Sequence, residues 1–100
     1  MAIDAIVLHT NDNVATAVQE LKTGQQATIR LGRELNQLTL AENIPYGHKF
    51  SIRTISLGEN ILKYGEVIGR ATVQIEAGRH AHVQNIESLR GRGDLGKEEQ

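Results

Sequence analysis

Residues 44–50 read Ile44-Pro45-Tyr46-Gly47-His48-Lys49-Phe50, with an apolar residue three positions before and three positions after a glycine. The same apolar-x-x-Gly-x-x-apolar unit occurs again around Gly24, Gly58 and Gly78. Glycine readily adopts the positive φ of a tight turn, and the flanking apolar residues would pack both arms of that turn on the core. Each unit is therefore predicted to lead into a short strand. The irregular intervals between the glycines argue against a solenoid repeat.

Strand patterning extends to both sides of these units. Residues Ile3 to His9 are apolar and β-branched enough for a central strand. The sequence from Ala27 to Ala41 alternates around Gly32-Arg33-Glu34, as a hairpin does. Gly65 and Gly69 are predicted to be further bends or bulges. The fold class predicted from these features is mostly β, with short and bent strands.

One segment favours a helix instead. Thr10-Asn11-Asp12-Asn13 is a run of residues that commonly cap helix N-termini. Val14, Val18 and Leu21 follow at positions i, i+4 and i+7. The spacing predicts one short α-helix of about two turns, with Gly24 as a left-handed C-cap.

Length and composition indicate a single domain. The chain has 100 residues, a formal net charge of -1 and 39% hydrophobic residues, enough to bury about two thirds of the surface exposed when unfolded. One Phe, two Tyr and no Trp leave few aromatic platforms for stacking on nucleic acid. The start of the chain lacks the pattern of a secretory signal, and no run approaches the ~20 apolar residues of a membrane span. The predicted protein is cytoplasmic and binds neither nucleic acid nor membrane.

The domain is predicted to cover residues 1–88. Residues 89–100 are rich in glycine, charged and amide side chains, and they are predicted to form a mobile C-terminal tail.

Two histidines lie two residues apart in Gly78-Arg79-His80-Ala81-His82-Val83-Gln84-Asn85. In a strand, His80 and His82 would share one face at roughly 7 Å and could lean toward one metal, anion or substrate. A zinc site takes three or four protein ligands, so His48, acidic residues, the substrate or another chain would have to complete it. The alternative is a solvated pair on an exposed strand.

Two glycine units place an imidazole beside a cation. His48-Lys49 follows one glycine, and Arg79-His80 follows another. If these corners meet, they form a positive niche that suits a carboxylate, sulfonate or phosphate, with histidine able to exchange a proton. Lys63 adds a third cation. The alternative is that Lys49 and Lys63 are simply solvated strand residues.

Three motifs together resemble the N-terminal domain of the altronate and galactarate dehydratase family. The resemblance runs from about Ile6 to Asn85 and is carried by Ile44-Pro45-Tyr46-Gly47-His48-Lys49-Phe50, Ile61-Leu62-Lys63-Tyr64-Gly65-x-x-Ile68-Gly69 and the His80 motif quoted above. It implies an SAF-type domain with a β-clip fold of short bent strands and one short α-helix. In the family this domain precedes a larger catalytic domain that dehydrates sugar acids to 2-keto-3-deoxy acids. The chain looks like the small subunit of a split enzyme, inactive without its large subunit.

The resemblance also implies roles for individual residues. The cofactor would be a divalent metal, iron or manganese, bound mainly with the large catalytic subunit. The expected roles are catalysis by His48 and His82, substrate binding by Lys49, Lys63 and Asn85, and metal binding by His80 and His82. The family often has an acidic residue at the position of Arg79 and a further histidine at that of Gln84. Arg79 is expected at the surface, and the absent imidazole argues against a metal site made by this chain alone.

Two other functions fit the same fold. The chain could be the small subunit of a sulfolactate-type sulfo-lyase, with sulfite as the leaving group. It could also be a non-catalytic SAF module that binds a carbohydrate or a protein. A homo-oligomer, a dimer or trimer, is expected because a small domain without its partner tends to cover apolar surface.

Overall fold

The computed structural model describes residues 2–88 and contains only strands, turns and irregular segments in that range. The predicted tail, residues 89–100, lies outside the described residues. The strands are β1 (Ala5–Val7), β2 (Val14–Ala17), β3 (Gln26–Leu31), β4 (Glu34–Thr39), β5 (Lys49–Ser51), β6 (Asn60–Lys63), β7 (Glu66–Ala71), β8 (His80–Ala81) and β9 (Ile86–Ser88). Within residues 2–88 no helix is long and apolar enough to cross a membrane.

The strands form two sheets. One has six strands in the order β4-β3-β1-β2-β5-β8, and the other has three in the order β6-β7-β9. Strand β1 pairs in parallel with β3 and antiparallel with β2. The predicted central strand is therefore confirmed, although it is shorter than the apolar run that suggested it. The predicted hairpin is also confirmed as β3 and β4, with Gly32 at positive φ between them.

The four glycine units adopt one turn. Each glycine has a φ between 84° and 87°, and in each turn the residue after the glycine donates its N–H to the carbonyl three residues earlier. The apolar residues that begin the units pair across the fold, Leu21 with Ile44 and Ile55 with Ile75. All the flanking apolar residues are buried, as predicted: Leu21, Ala27, Ile44, Phe50, Ile55, Ile61, Ile75 and Ala81.

The predicted short α-helix is wrong. Val14 to Ala17 form β2, which lies between β1 and β5. Val14, Ala15 and Ala17 are all buried, whereas Val18 is 37% exposed. Strand β2 is covered on both faces, so it lacks the alternation of apolar and polar residues that marks a half-exposed strand. The spacing of Val14, Val18 and Leu21 therefore matches that of a helix although no helix forms.

Two of the four polar residues that suggested a helix N-cap, Asp12 and Asn13, make long-range contacts instead. The buried carboxylate of Asp12 accepts the N–H groups of Tyr64 and Gly65 at 2.9 and 2.8 Å. Asn13, also buried, bonds through its side chain to the backbone of Asn60 and Leu62 in β6. These bonds connect the second sheet to the entrance of β2 and hold the β6–β7 turn.

The predicted bends at Gly65 and Gly69 are also present. Tyr64 and Gly65 both have positive φ, 59° and 76°, between β6 and β7. The pairing of these strands shifts register between Ile61 and Leu62, opposite Gly69 and Val67, which is the signature of a bulge.

The core has two parts that meet near strands β5 and β8. Phe50 of β5 belongs to one buried apolar cluster, and Ala81 of β8 belongs to the other, which also contains Ile61 of β6 and Ala71 of β7. Strands β5 and β8 pair antiparallel with Lys49 opposite Ala81 and Phe50 opposite His80. The histidines of both motifs therefore lie where the two parts of the core join.

A Gly78→Ala substitution is expected to destabilise the fold more than Gly47→Ala. Both glycines have positive φ, 87° and 84°, which costs a residue with a Cβ about 1–2 kcal/mol. At Gly78 a Cβ would also lie 2.7 Å from the carbonyl oxygen of Thr39, whereas at Gly47 it would meet nothing within 4 Å. Urea denaturation of both variants should place the Gly78→Ala loss at least about 1 kcal/mol above the other. Equal losses of stability in the two variants would contradict the expected close contact at Gly78.

Candidate active site: three histidines beside a lysine-lined cleft

Three half-buried histidines form a cluster. One ligand nitrogen from each of His48, His80 and His82 lies within 4.8 Å of the other two. The ring centroids of His48 and His82 are 4.4 Å apart, and those of His80 and His82 are 5.5 Å apart. Nδ1 of His48 and Nε2 of His80 are separated by 2.9 Å, a hydrogen-bond distance. The corners at Gly47 and Gly78 therefore meet, which is the condition for the positive niche described in the sequence.

Strand pairing explains why they meet. Because Lys49 lies opposite Ala81, continuing the register by one residue brings His48 opposite His82. His80 and His82 flank Ala81, whose side chain is fully buried. The two-residue period of β8 thus turns both imidazoles away from the core and toward His48.

Side chains from two other segments hold the histidine strand. Glu42 accepts the backbone N–H of His80 at 2.8 Å and forms an ion pair with Arg79 at 3.5 Å. Asn85 donates to the carbonyl of His80 at 2.8 Å and accepts the N–H of His82 at 3.0 Å. Arg79 is half-exposed, as expected. The NH₂ group and the carbonyl oxygen of the Asn85 side chain thus both bond to the backbone that carries the imidazoles.

Glu42 was missed by the sequence analysis. It lies 38 positions from His80 in the chain, and no local pattern marks it. Only the packing of the loop after β4 against β8 places its carboxylate at this corner. Glu42 therefore acts by positioning the histidine strand.

A cleft of about 560 Å³ opens beside the cluster. Lys49, Lys63 and His82 are among its lining residues. Most of its other lining residues are apolar or aromatic: Tyr64, Glu66, Val67, Ile68, Val83, Ile86 and Ser88. The Lys63 ammonium lies 4.9 Å from the ring centroid of Tyr64, a cation–π contact. The structure thus places both predicted substrate-binding lysines with one of the predicted catalytic histidines.

The cleft disfavours extra positive charge. Burial, together with the charge of Lys63, lowers the pKa of the Lys49 ammonium below its usual value. Burial also lowers the pKa of His80 and of His82, and the neighbouring His48 adds to both shifts. Since the ordinary histidine pKa is about 6.5, His80 and His82 are neutral at pH 7 and present lone pairs.

The imidazole cluster suits a divalent metal. Neutral imidazole nitrogens are common ligands of iron, manganese and zinc, and three of them leave coordination positions open. The 2.9 Å between the nitrogens of His48 and His80 is short enough for both to bind one ion at the usual ~2.0–2.1 Å. Within residues 2–88 the cluster contains no carboxylate, so a carboxylate ligand would have to come from outside that range. Asn85, Lys49 and Lys63 lie around this group and are not members of it.

Several known proteins are similar to this chain in sequence. The pattern of the altronate/galactarate dehydratase SAF domain matches residues 3–89. Altronate dehydratase of Escherichia coli (strain K12) is 38% identical over 80 residues, which are 80% of this chain and 15% of that protein. Galactarate dehydratase (L-threo-forming) of the same organism is 40% identical over 73 residues, 13% of its length.

A third relative matches over nearly its whole length. The (2R)-sulfolactate sulfo-lyase subunit alpha of Chromohalobacter salexigens is 36% identical over 94 residues, which are 90% of this chain and 99% of that protein. The chain therefore spans a small part of the dehydratases and almost all of the sulfo-lyase subunit. The SAF match covers most of the chain and includes both histidine corners. The chain belongs to the SAF-domain family of the altronate and galactarate dehydratases.

Proposed function

We propose that this chain is the small subunit of a hydro-lyase that eliminates water from a sugar acid of the altronate or galactarate type. Its histidine cluster and its lysine-lined cleft would form one side of an active site that a large subunit completes. The observation that carries the proposal is that Lys49, Lys63 and His82 line one cleft beside the other two imidazoles. The match to dehydratases and to a named lyase subunit supports the class of reaction.

The two lysines suit the carboxylate of the substrate. Neither Lys49 nor Lys63 forms an ion pair with any residue in the described range 2–88. Both are half-buried, and burial, together with the charge of Lys63, lowers the pKa of Lys49. An anion bound between the two lysines would offset their repulsion. Charge-assisted hydrogen bonds to a carboxylate would orient the substrate in the cleft.

His82 is the imidazole best placed to move a proton. Among the three clustered histidines only His82 lines the cleft in the described structure. Dehydration of an α,β-dihydroxy acid requires removal of the proton next to the carboxylate and protonation of the leaving hydroxyl. A neutral imidazole can accept the first proton, or in its charged form supply the second, and such groups contribute typically 10²–10⁴-fold.

The metal would be held by His48 and His80, whose facing nitrogens lie 2.9 Å apart, which leaves the lone pair of His82 free to exchange a proton. The remaining ligands would be supplied by the large subunit and the substrate. When bound, a divalent ion such as iron or manganese supplies Lewis-acid polarisation of the carboxylate and the hydroxyl. Glu42 and Asn85 would keep the imidazoles in place through the backbone bonds described above.

The large subunit is proposed to dock on the apolar margin of the cleft. Val83 follows His82 and is 81% exposed, and Tyr64 beside Lys63 is 55% exposed. Both line the cleft opening. Apolar side chains left uncovered around a polar site are typical of surfaces that bind another protein.

A Val83→Asp variant is expected to weaken association with the large subunit by at least about 10-fold, since it places a charge in an apolar contact. Affinity can be measured by isothermal calorimetry with the purified large subunit. Val73→Asp is the matched control, because Val73 is 49% exposed and does not line the cleft. Equal affinities of the two variants would place the docking surface elsewhere.

A sulfo-lyase small subunit is the second candidate. The match over 99% of a sulfolactate sulfo-lyase subunit favours it specifically, and a sulfonate would suit the lysines as well as a carboxylate does. The chain should therefore be purified with the large subunit and assayed on altronate, galactarate and sulfolactate. Formation of a 2-keto-3-deoxy acid supports the hydro-lyase, and release of sulfite supports the sulfo-lyase. Binding without turnover of any acid would leave the chain as a non-catalytic module.

A further inference from the structure

We propose that Gln84 sets the tautomer of His80, and that its side-chain amide reverses when His80 binds a metal ion through Nε2. This inference rests on the metal role proposed above for the histidine cluster. It assigns a positioning role to Gln84, whose side-chain amide contacts the His80 ring.

The orientation of the Gln84 amide follows from a backbone group. Its Nε2 lies 3.4 Å from the carbonyl oxygen of His80 and 3.1 Å from Nδ1 of the same histidine. A carbonyl oxygen can only accept a hydrogen bond, so the amide nitrogen and not the amide oxygen faces this side. The nitrogen then donates to Nδ1 of His80 as well, and Nδ1 carries no proton.

The proton of neutral His80 is therefore on Nε2. That nitrogen lies 2.9 Å from Nδ1 of His48, so His80 donates and His48 accepts. One exposed amide thus fixes a chain of hydrogen bonds that runs from Gln84 through His80 to His48. The proton between the two imidazoles occupies the lone-pair direction that a metal ion would use.

Metal binding imposes the opposite tautomer. If His80 binds an ion through Nε2, its proton moves to Nδ1 and the number of protons on the ring is unchanged. Nδ1–H would then face the NH₂ group of Gln84, donor against donor. Rotation of the exposed amide by half a turn presents Oε1 as an acceptor and restores the bond. A carboxylate at position 84 would accept from Nδ1–H without rotation and would favour the metal-binding tautomer beforehand.

The test uses the full chain labelled with ¹⁵N-histidine, at pH 8, with two-bond ¹H–¹⁵N spectra that show which ring nitrogen is protonated. His80 is expected as the Nε2–H tautomer in the wild type, as a mixture in Gln84→Met, and as the Nδ1–H tautomer in Gln84→Glu. Zn²⁺, a diamagnetic probe, is expected to bind Gln84→Glu about 10-fold more tightly than the wild type. Gln74→Glu adds the same charge at an exposed position and is expected to bind Zn²⁺ as the wild type does.

The outcomes separate this inference from the metal role itself. The same His80 tautomer in the wild type and in Gln84→Met would overturn the inference. Equal Zn²⁺ affinities of the wild type and Gln84→Glu, with Zn²⁺ bound to both, would also overturn it while supporting the metal site. Failure of Zn²⁺ to bind either protein, alone or assembled with the large subunit, with the tautomers as expected, would overturn the metal role and leave the tautomer assignment supported.

Discussion

A His82→Ala variant assembled with its large subunit is expected to lose about 10²–10⁴-fold in kcat. His82 is the clustered imidazole that lines the cleft, and burial with the neighbouring His48 keeps it neutral at pH 7 by lowering its pKa. Removal of the ring takes away the group proposed to exchange a proton and leaves His48 and His80, which are proposed to hold the metal. Steady-state turnover of whichever acid the wild-type complex accepts measures the effect.

The control for this variant is His9→Ala. His9 is exposed and lies outside the cluster of His48, His80 and His82, so its replacement is expected to leave kcat within about 3-fold of the wild type. Urea midpoints of both variants close to that of the wild type would show that the fold is intact. A His82→Ala complex that turns over as fast as His9→Ala would contradict the catalytic role.

A Lys63→Gln variant is expected to raise KM by about 10–100-fold with a smaller change in kcat. Lys63 lines the cleft and has no acidic partner in the described range, and hydrogen bonds to charged groups contribute about 1.5–3 kcal/mol each. The loss should therefore appear in binding of the substrate carboxylate. Lys49→Gln is expected to act in the same direction, because Lys49 lines the same cleft.

Lys22→Gln is the matched control for the lysines. Lys22 is exposed and forms an ion pair with Glu20 at 3.2 Å, so its replacement is expected to leave KM unchanged. The conservative Lys63→Arg variant should recover part of the lost affinity, since a positive charge is retained. A Lys63→Gln complex with unchanged KM would contradict the role of Lys63 in substrate binding.

Local chemistry explains which parts of the fold the sequence predicts. The four glycine turns and the β3–β4 hairpin were predictable because each depends on residues that are close in the sequence. A glycine unit spans seven residues and the hairpin spans fifteen. The helix expected at Val14 was wrong because β2 is buried on both faces, which removes the alternation that marks a strand. Asp12 and Asn13 have the side chains of N-caps but bond to segments about 50 residues away.

The candidate site divides in the same way. The pairing of imidazole and lysine after two glycines was visible in the sequence, and so was the shared face of His80 and His82. That the corners meet depends on the β5–β8 register, which no local pattern specifies. The contacts of Glu42 and Gln84 with His80 depend on the same packing. The family resemblance supplied the class of substrate, which spacing and charge do not define.

Metal content tests the central claim that the histidine cluster is one side of a site shared between two subunits. The isolated chain, the isolated large subunit and their complex should be purified without a histidine tag and analysed by mass spectrometry of the metals. One divalent ion is expected per wild-type complex, with much less than one in the isolated chain. A complex carrying the His48→Ala, His80→Ala and His82→Ala substitutions together is expected to lose the ion. A full equivalent of metal in the isolated chain, or retention of the ion by the triple variant, would contradict this claim.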